Sequence, residues 1–151
     1  MTSPIFEPVN PTNQERKADP IRVLLVEDDE DYREIVGSEL SWHGFAVRSF
    51  ADGELLLGSL DITAEADVIV LDWRLPTISG IDLLPQLRQR GVSLPVVFLT
   101  SHADLAYEKL AFERGALDFI DKTRGAQVVA ALFSERGQCF ENAVASILND
   151  I

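Results

Sequence analysis

The chain has 151 residues, 46% of them hydrophobic, which suffices for one ordinary core and is too few for two domains of usual size. Its net charge of -12 would repel a phosphate backbone, so a nucleic-acid surface is not expected and any DNA-directed output must lie elsewhere. Cys139 has no second cysteine to pair with, no apolar run approaches the roughly 20 residues of a membrane helix, and the N-terminus lacks a basic-then-apolar secretion signal. The expected setting is the cytoplasm, neither spanning a membrane nor exported.

Residues 1–20 hold four of the seven prolines among Thr, Asn and Glu, without apolar periodicity, and read as a flexible leader. From Ile21 the pattern changes to short β-branched runs alternating with segments of helical period. Ile21 to Val26 is nearly continuous in apolar residues, as in a strand covered on both faces. Asp31 with Glu34 marks a helix start, Tyr32, Ile35, Val36 and Leu40 share a face, and Gly44 closes that helix, with His43 at its end. Phe45 to Phe50 is the second strand, Asp52 to Leu60 a short helix, and Asp67 to Leu71 a buried third strand with Asp72 at its carboxyl end.

Ser79 and Gly80 open the next helix, where Pro85 is expected near the first turn, whose N–H groups have no helical partner. Gly91 ends it. Pro95 to Leu99 follows as strand four, Ala103 to Arg114 as helix four with Gly115 as stop, and Leu117 to Ile120 as strand five. Val128, Val129, Leu132 and Phe133 suit a fifth helix. After Gly137, a second apolar stripe of Phe140, Val144, Ile147, Leu148 and Ile151 predicts an extra amphipathic C-terminal helix, which either packs on its own domain or mediates self-association or partner docking.

Five βα units predict an α/β fold, a doubly wound five-stranded parallel sheet in the flavodoxin-like order 2-1-3-4-5. In such sheets functional groups collect at the carboxyl ends of the strands. Those ends carry Glu27, Asp28 and Asp29, then Asp72, Thr100 and Lys122. Carboxylates from neighbouring strands ~4 Å apart repel by about 4 kcal/mol at an effective dielectric near 20. A hard divalent cation such as Mg²⁺ offsets that repulsion, a lysine adds a point charge for phosphate and a threonine adds a hydroxyl donor. These are the parts for phosphoryl transfer to a carboxylate. Taken singly, each has a blander reading: a solvated acidic turn, a hydroxyl satisfying a strand-end turn, a surface lysine. Phe119 alone is as well explained as a core aromatic, and Cys139 as a small apolar filler.

The segments RVLLVEDDEDYRE, VIVLDWRLPTISGIDLL, PVVFLTSHAD and GALDFIDK, in this order and spacing, resemble the receiver domain of two-component response regulators, from about Ile21 to Gly125. The combination is the specific part, with Asp72 45 residues after Glu27, Thr100 28 further on and Lys122 22 beyond that. The resemblance implies that Asp72 takes a phosphoryl group from a sensor histidine kinase or histidine phosphotransfer protein. It implies Mg²⁺ held by Asp28, Asp72 and the backbone carbonyl of Arg74, with Glu27 acting through a water. Lys122 would pair with the phosphoryl oxygens, Thr100 would move to bond one of them, and Phe119 would turn inward. The surface of helix four, strand five and helix five would then change its contacts with a downstream protein target.

The sequence departs from the family in placing Thr123 where proline usually follows the lysine, and phenylalanine at 119 where tyrosine is frequent. The positions of Arg74 and His102 vary in the family and are linked there to the lifetime of the phosphorylated state, which the resemblance implies here as well. Trp73 should lie near the metal and report on it by fluorescence.

The expected organisation is a leader at 1–20, a receiver domain at 21–136 and the additional helix at 137–151. The expected role is a signalling domain rather than an enzyme, acting through protein contacts, with a homodimer left open. The alternatives are a phosphorylation-independent interaction module, the receiver part of a longer DNA-binding regulator, and a Mg²⁺-dependent phosphohydrolase. The last would need a second acid two residues after its nucleophile, where Arg74 stands. Only about 25 residues follow the fifth strand and helix start, fewer than a DNA-binding module needs.

Overall fold

The β-branched runs are strands because each must bury both faces, and a parallel sheet sandwiched between helices is the arrangement that allows it. The computed structural model describes residues 20–101 and 104–124. Its strands are β1 (Arg22–Val26), β2 (Ala46–Phe50), β3 (Val68–Asp72), β4 (Val96–Thr100) and β5 (Asp118–Asp121). The helices between them are α1 (Glu30–Trp42), α2 (Gly53–Leu57), α3 (Leu60–Thr63), α4 (Gly80–Gln89) and α5 (Leu105–Glu113), and a 3₁₀ turn (Lys122–Arg124) follows β5. All pairings are parallel, in the order β2-β1-β3-β4-β5, the flavodoxin-like arrangement expected. The leader, His102, the expected fifth helix, Cys139 and the amphipathic segment 137–151 lie outside the described residues. None of the helices described is long and apolar enough to cross a membrane.

The alternation within each strand builds two cores. Val23 and Leu25 of β1, Val68 and Val70 of β3, and Val97 and Leu99 of β4 meet Val36 and Leu40 of α1 on one face. Leu24, Val26, Ile69, Leu71 and Phe98 meet Leu56 of α2, Leu83, Leu84 and Leu87 of α4, and Ala111 of α5 on the other. Leu83, Leu84 and Leu87 are fully buried, so α4 presents a continuous apolar stripe to the sheet.

Local structure departs from the sequence expectations in four places. Helix α1 starts two residues earlier, because Asp29, not Asp31, is the N-cap and accepts from the Tyr32 N–H at 3.0 Å. Ile35 is 52% exposed, which narrows the buried face of α1 to Val36 and Leu40. The segment Asp52 to Leu60 divides at Gly58, and the chain resumes as the short α3. The strand-four to strand-five helix is therefore α5 here.

Pro85 lies inside α4, about a turn deeper than expected from the Ser79 cap. Without an N–H it leaves the Ile81 carbonyl with no helical donor. The guanidinium of Arg114 donates to that carbonyl at 3.1 Å and stands 3.6 Å from Asp82, so a residue from the end of α5 completes α4.

Candidate functional site

Parallel register brings the strand ends together. Val26 pairs with Leu71, so one further residue along each strand places Glu27 beside Asp72. Asp72 pairs with Leu99 and Thr100 with Asp121, which ranks Asp72, Thr100 and the residue after Asp121, Lys122, along one edge of the sheet. Glu27, Asp72 and Thr100 are buried, whereas Asp28 is exposed at the rim. Carboxylate oxygens of Glu27, Asp28 and Asp72 all lie within 4.8 Å of one another.

Lys122 is the counter-charge. Its Nζ is 2.6 Å from Glu27 Oε1 and 3.1 Å from Asp72 Oδ2. The ammonium also sits 4.9 Å from the centroid of the Tyr32 ring. Burial pushes the Lys122 amine down, but its hydrogen bond to Glu27 and the charges of Asp72 and Glu27 outweigh that effect and raise it. For Asp72, burial and then the Glu27 charge push the carboxyl up to about 7, against the opposing pull of Lys122 and the Arg74 N–H. That N–H donates to Asp72 Oδ1 at 3.3 Å, and the Arg74 side chain is exposed.

The acidic loop is fixed from both sides. The Asp29 N–H donates to Glu27 Oε2 at 3.0 Å, and Arg33 donates to the Glu27 carbonyl at 2.8 Å. Beyond Lys122 the backbone stays trans, with no cis peptide among the described residues. Thr123 donates both its N–H, at 2.8 Å, and its hydroxyl, at 2.7 Å, to Asp121 Oδ1. A proline at that position could offer neither donor, so the lysine turn is held by different chemistry.

After Asp72 the chain makes a tight loop whose strain the sequence did not announce. The Ile78 N–H reaches the Pro76 carbonyl at 2.7 Å around Thr77, whose φ of 70° is unusual for a β-branched residue. The Gly80 N–H then closes on the Trp73 carbonyl at 2.8 Å. A Cβ on Gly80 would overlap the Asp72 carbonyl oxygen and crowd the Phe98 ring, which is why glycine stands there.

Trp73 points away from the carboxylates into the core and is 6% exposed. Its ring stacks on Tyr107 of α5 with centroids 4.9 Å apart, meets the edge of Phe119 of β5 at 5.8 Å and tilts against Phe98 of β4 at 5.1 Å. The residue following Asp72 is thus in ring contact with the two elements of the expected switch surface that are described. Phe119 is half-buried. Sequence reasoning placed Tyr32 on the apolar face of its helix and missed its contact with Lys122, for which spacing along the chain gives no signal.

The carboxylate cluster suits a hard cation. Its donors are all oxygens, they come from two adjacent strands, and their mutual repulsion is only partly met by one lysine. An anionic group at the same place would meet the Lys122 ammonium.

Residues 23–133 match the family model described as response regulator receiver domain. The chain is 35% identical over 98 residues to the DNA-binding transcriptional regulator NtrC of Klebsiella pneumoniae, covering 65% of this chain and 21% of that protein. It is 33% identical over 105 residues to the response regulator MprA of Mycobacterium sp. (strain KMS), covering 68% of this chain and 44% of the relative. The chain therefore spans less than half the length of these curated relatives. Among solved structures it resembles the signal receiver domain of the putative response regulator NarL from Mycobacterium tuberculosis, with a TM-score of 0.67 and 26% identity over 82% of this chain and 98% of that one.

Proposed function

The chain belongs to the response regulator receiver domain family, and from that premise we propose that Asp72 accepts a phosphoryl group from a phosphohistidine on a sensor kinase or phosphotransfer protein. The observation that carries this reading is Asp72 itself, buried at the end of β3 between Glu27 and Lys122 and within reach of the Asp28 carboxylate. In the reaction an Asp72 carboxylate oxygen attacks phosphorus, the bond between phosphorus and the imidazole nitrogen breaks, and the histidine leaves, taking up a proton from solvent. Lys122 pairs with the phosphoryl oxygens, and the Thr100 hydroxyl donates to one of them.

Asp28, Asp72 and the Arg74 carbonyl would hold Mg²⁺, with Glu27 acting through a water. When bound, the ion neutralises charge on the carboxylates and the phosphoryl group. Arg74 and His102 would modulate how long the phosphoryl group survives.

The signal leaves through packing. As Thr100 moves toward the phosphoryl group, Phe119 turns inward and the surface of α5, β5 and the following segment changes its protein contacts. Phe119 has no hydroxyl, so its inward state rests on packing, and the Trp73 contacts with Phe119 and Tyr107 support that route. On this reading the chain is a signalling domain that acts in the cytoplasm and catalyses at most its own phosphorylation and dephosphorylation. The domain runs over 21–136, between a leader at 1–20 and an additional helix at 137–151. A second reading, the receiver part of a longer DNA-binding regulator, is favoured by the name of NtrC and by the small share of the relatives that this chain spans.

Intact mass after incubation with Mg²⁺ and acetyl phosphate tests the acceptor. The expected result is a gain of one phosphoryl group, labile to hydroxylamine and absent in Asp72→Asn and in a chelated control. No gain from acetyl phosphate or from a phosphohistidine donor, with no Trp73 fluorescence change on adding Mg²⁺, would instead indicate a phosphorylation-independent interaction module.

A further inference from the structure

Among the described residues three contacts hold the Lys122 ammonium: Glu27 at 2.6 Å, Asp72 at 3.1 Å and the face of the Tyr32 ring at 4.9 Å. The two carboxylates are the groups that a cation would engage, and Asp72 loses its carboxylate charge when it is phosphorylated. The ring alone is unaffected by either event. We propose that Tyr32 is a positioning residue for phosphoryl transfer, its aromatic face serving as a permanent seat that keeps the Lys122 ammonium at the pocket after the acids have turned to other partners.

Tyr32 is well placed for this. It lies in the first turn of α1, its N–H is tied to the Asp29 cap at 3.0 Å, and its ring packs against the sheet core. An ammonium over an aromatic face is attracted by the ring quadrupole, and the attraction strengthens where water is excluded. The ammonium has three N–H donors. Seating it on the ring leaves donors free for phosphoryl oxygens once the carboxylates let go.

The ring, rather than the hydroxyl, is the functional part. The Tyr32 hydroxyl is buried and has no hydrogen-bond partner among the described residues, so none of these fixes the side chain through a polar contact. Phenylalanine should therefore serve where leucine fails.

The inference rests on the reading of Lys122 as the phosphoryl counter-charge, and two measurements on the full chain separate them. The first follows phosphorylation against acetyl phosphate concentration in excess Mg²⁺ for the wild type, Tyr32→Phe and Tyr32→Leu. Leucine should lower the maximal rate about 3- to 30-fold, the range of a partly desolvated cation–π contact, with Mg²⁺ affinity unchanged, and phenylalanine should recover the wild-type rate. A wild-type rate in Tyr32→Leu, or Tyr32→Phe as slow as Tyr32→Leu, would overturn the assignment.

The second needs no donor. The Lys122 ε-methylene proton resonances should be shifted upfield by the ring in the wild type and Tyr32→Phe and should return toward free-lysine values in Tyr32→Leu. Resonances that do not move in Tyr32→Leu would refute the seat. If the wild type takes up no phosphoryl group, the acceptor reading fails and this second measurement still decides the contact.

Discussion

The paired strands β1 and β3 meet a cation at each end, Arg22 of β1 itself at the amino ends and Lys122 from beyond β5 at the carboxyl ends, and the two ends are built on opposite terms. At the amino ends Asp67 accepts from the Arg22 N–H at 2.8 Å and stands 3.8 Å from its guanidinium, one acid for one base, with both side chains partly in water. At the carboxyl ends, five residues on, Glu27 and Asp72 share Lys122 in near-complete burial, with Asp28 at the rim. The first pair is balanced and pins register. The second has more negative charge than its cation can neutralise, which is costly for a fold and useful for a site that must draw in a metal and a phosphoryl group.

Removing the cation from each end should widen the contrast most. Lys122→Met leaves two buried carboxylates without their partner and should lower stability by about 3 to 5 kcal/mol in metal-free urea unfolding at pH 8, with part of the loss restored by Mg²⁺. Equal stability with and without the cation would mean that the acids are less buried than the geometry implies.

Neutralising the acceptor should act in the opposite direction. The Asp72 carboxyl is raised to about 7 from an ordinary 3.8, so between those values the folded chain binds a proton that the unfolded chain releases. The stability from this group is complete below about pH 4 and is lost as pH rises through about 7. Asp72→Asn should escape that loss and be more stable than the wild type by about 2 to 4 kcal/mol at pH 8, the difference fading below pH 4. Denaturation midpoints across pH 4 to 8 would show it, and a constant difference would break the linkage.

The smallest effect belongs to the balanced end. Arg22→Ala should cost about 0.2 to 1 kcal/mol and leave phosphoryl gain and Mg²⁺ binding as they are. A slowed phosphoryl gain would show that the two ends communicate along β1, and the separation drawn between them would fall.

What could be seen in the sequence follows the same division. Strand ends are one-dimensional: a parallel strand of known length delivers its next residue to a known edge, so Glu27, Asp28, Asp72, Thr100 and Lys122 could be gathered from spacing alone. Contacts made by helix side chains depend on azimuth and depth, which spacing leaves open. Tyr32 under Lys122, 90 residues away, is one such contact, and Arg114 on the Ile81 carbonyl is another. The Asp31 capping signal lost to Asp29 because five consecutive acids, Glu27 to Asp31, offer several near-equivalent side chains, and only the loop geometry after Glu27 chooses among them.

Gly80 bears on how this domain tolerates change. Any side chain there meets the Asp72 carbonyl, so in a library of single substitutions screened for signalling, position 80 should be as intolerant as position 72. A screen for soluble expression alone should part them, passing many replacements of the acceptor and rejecting those of the glycine. Intolerance in one screen would then report a missing reagent, and in both a backbone with no room.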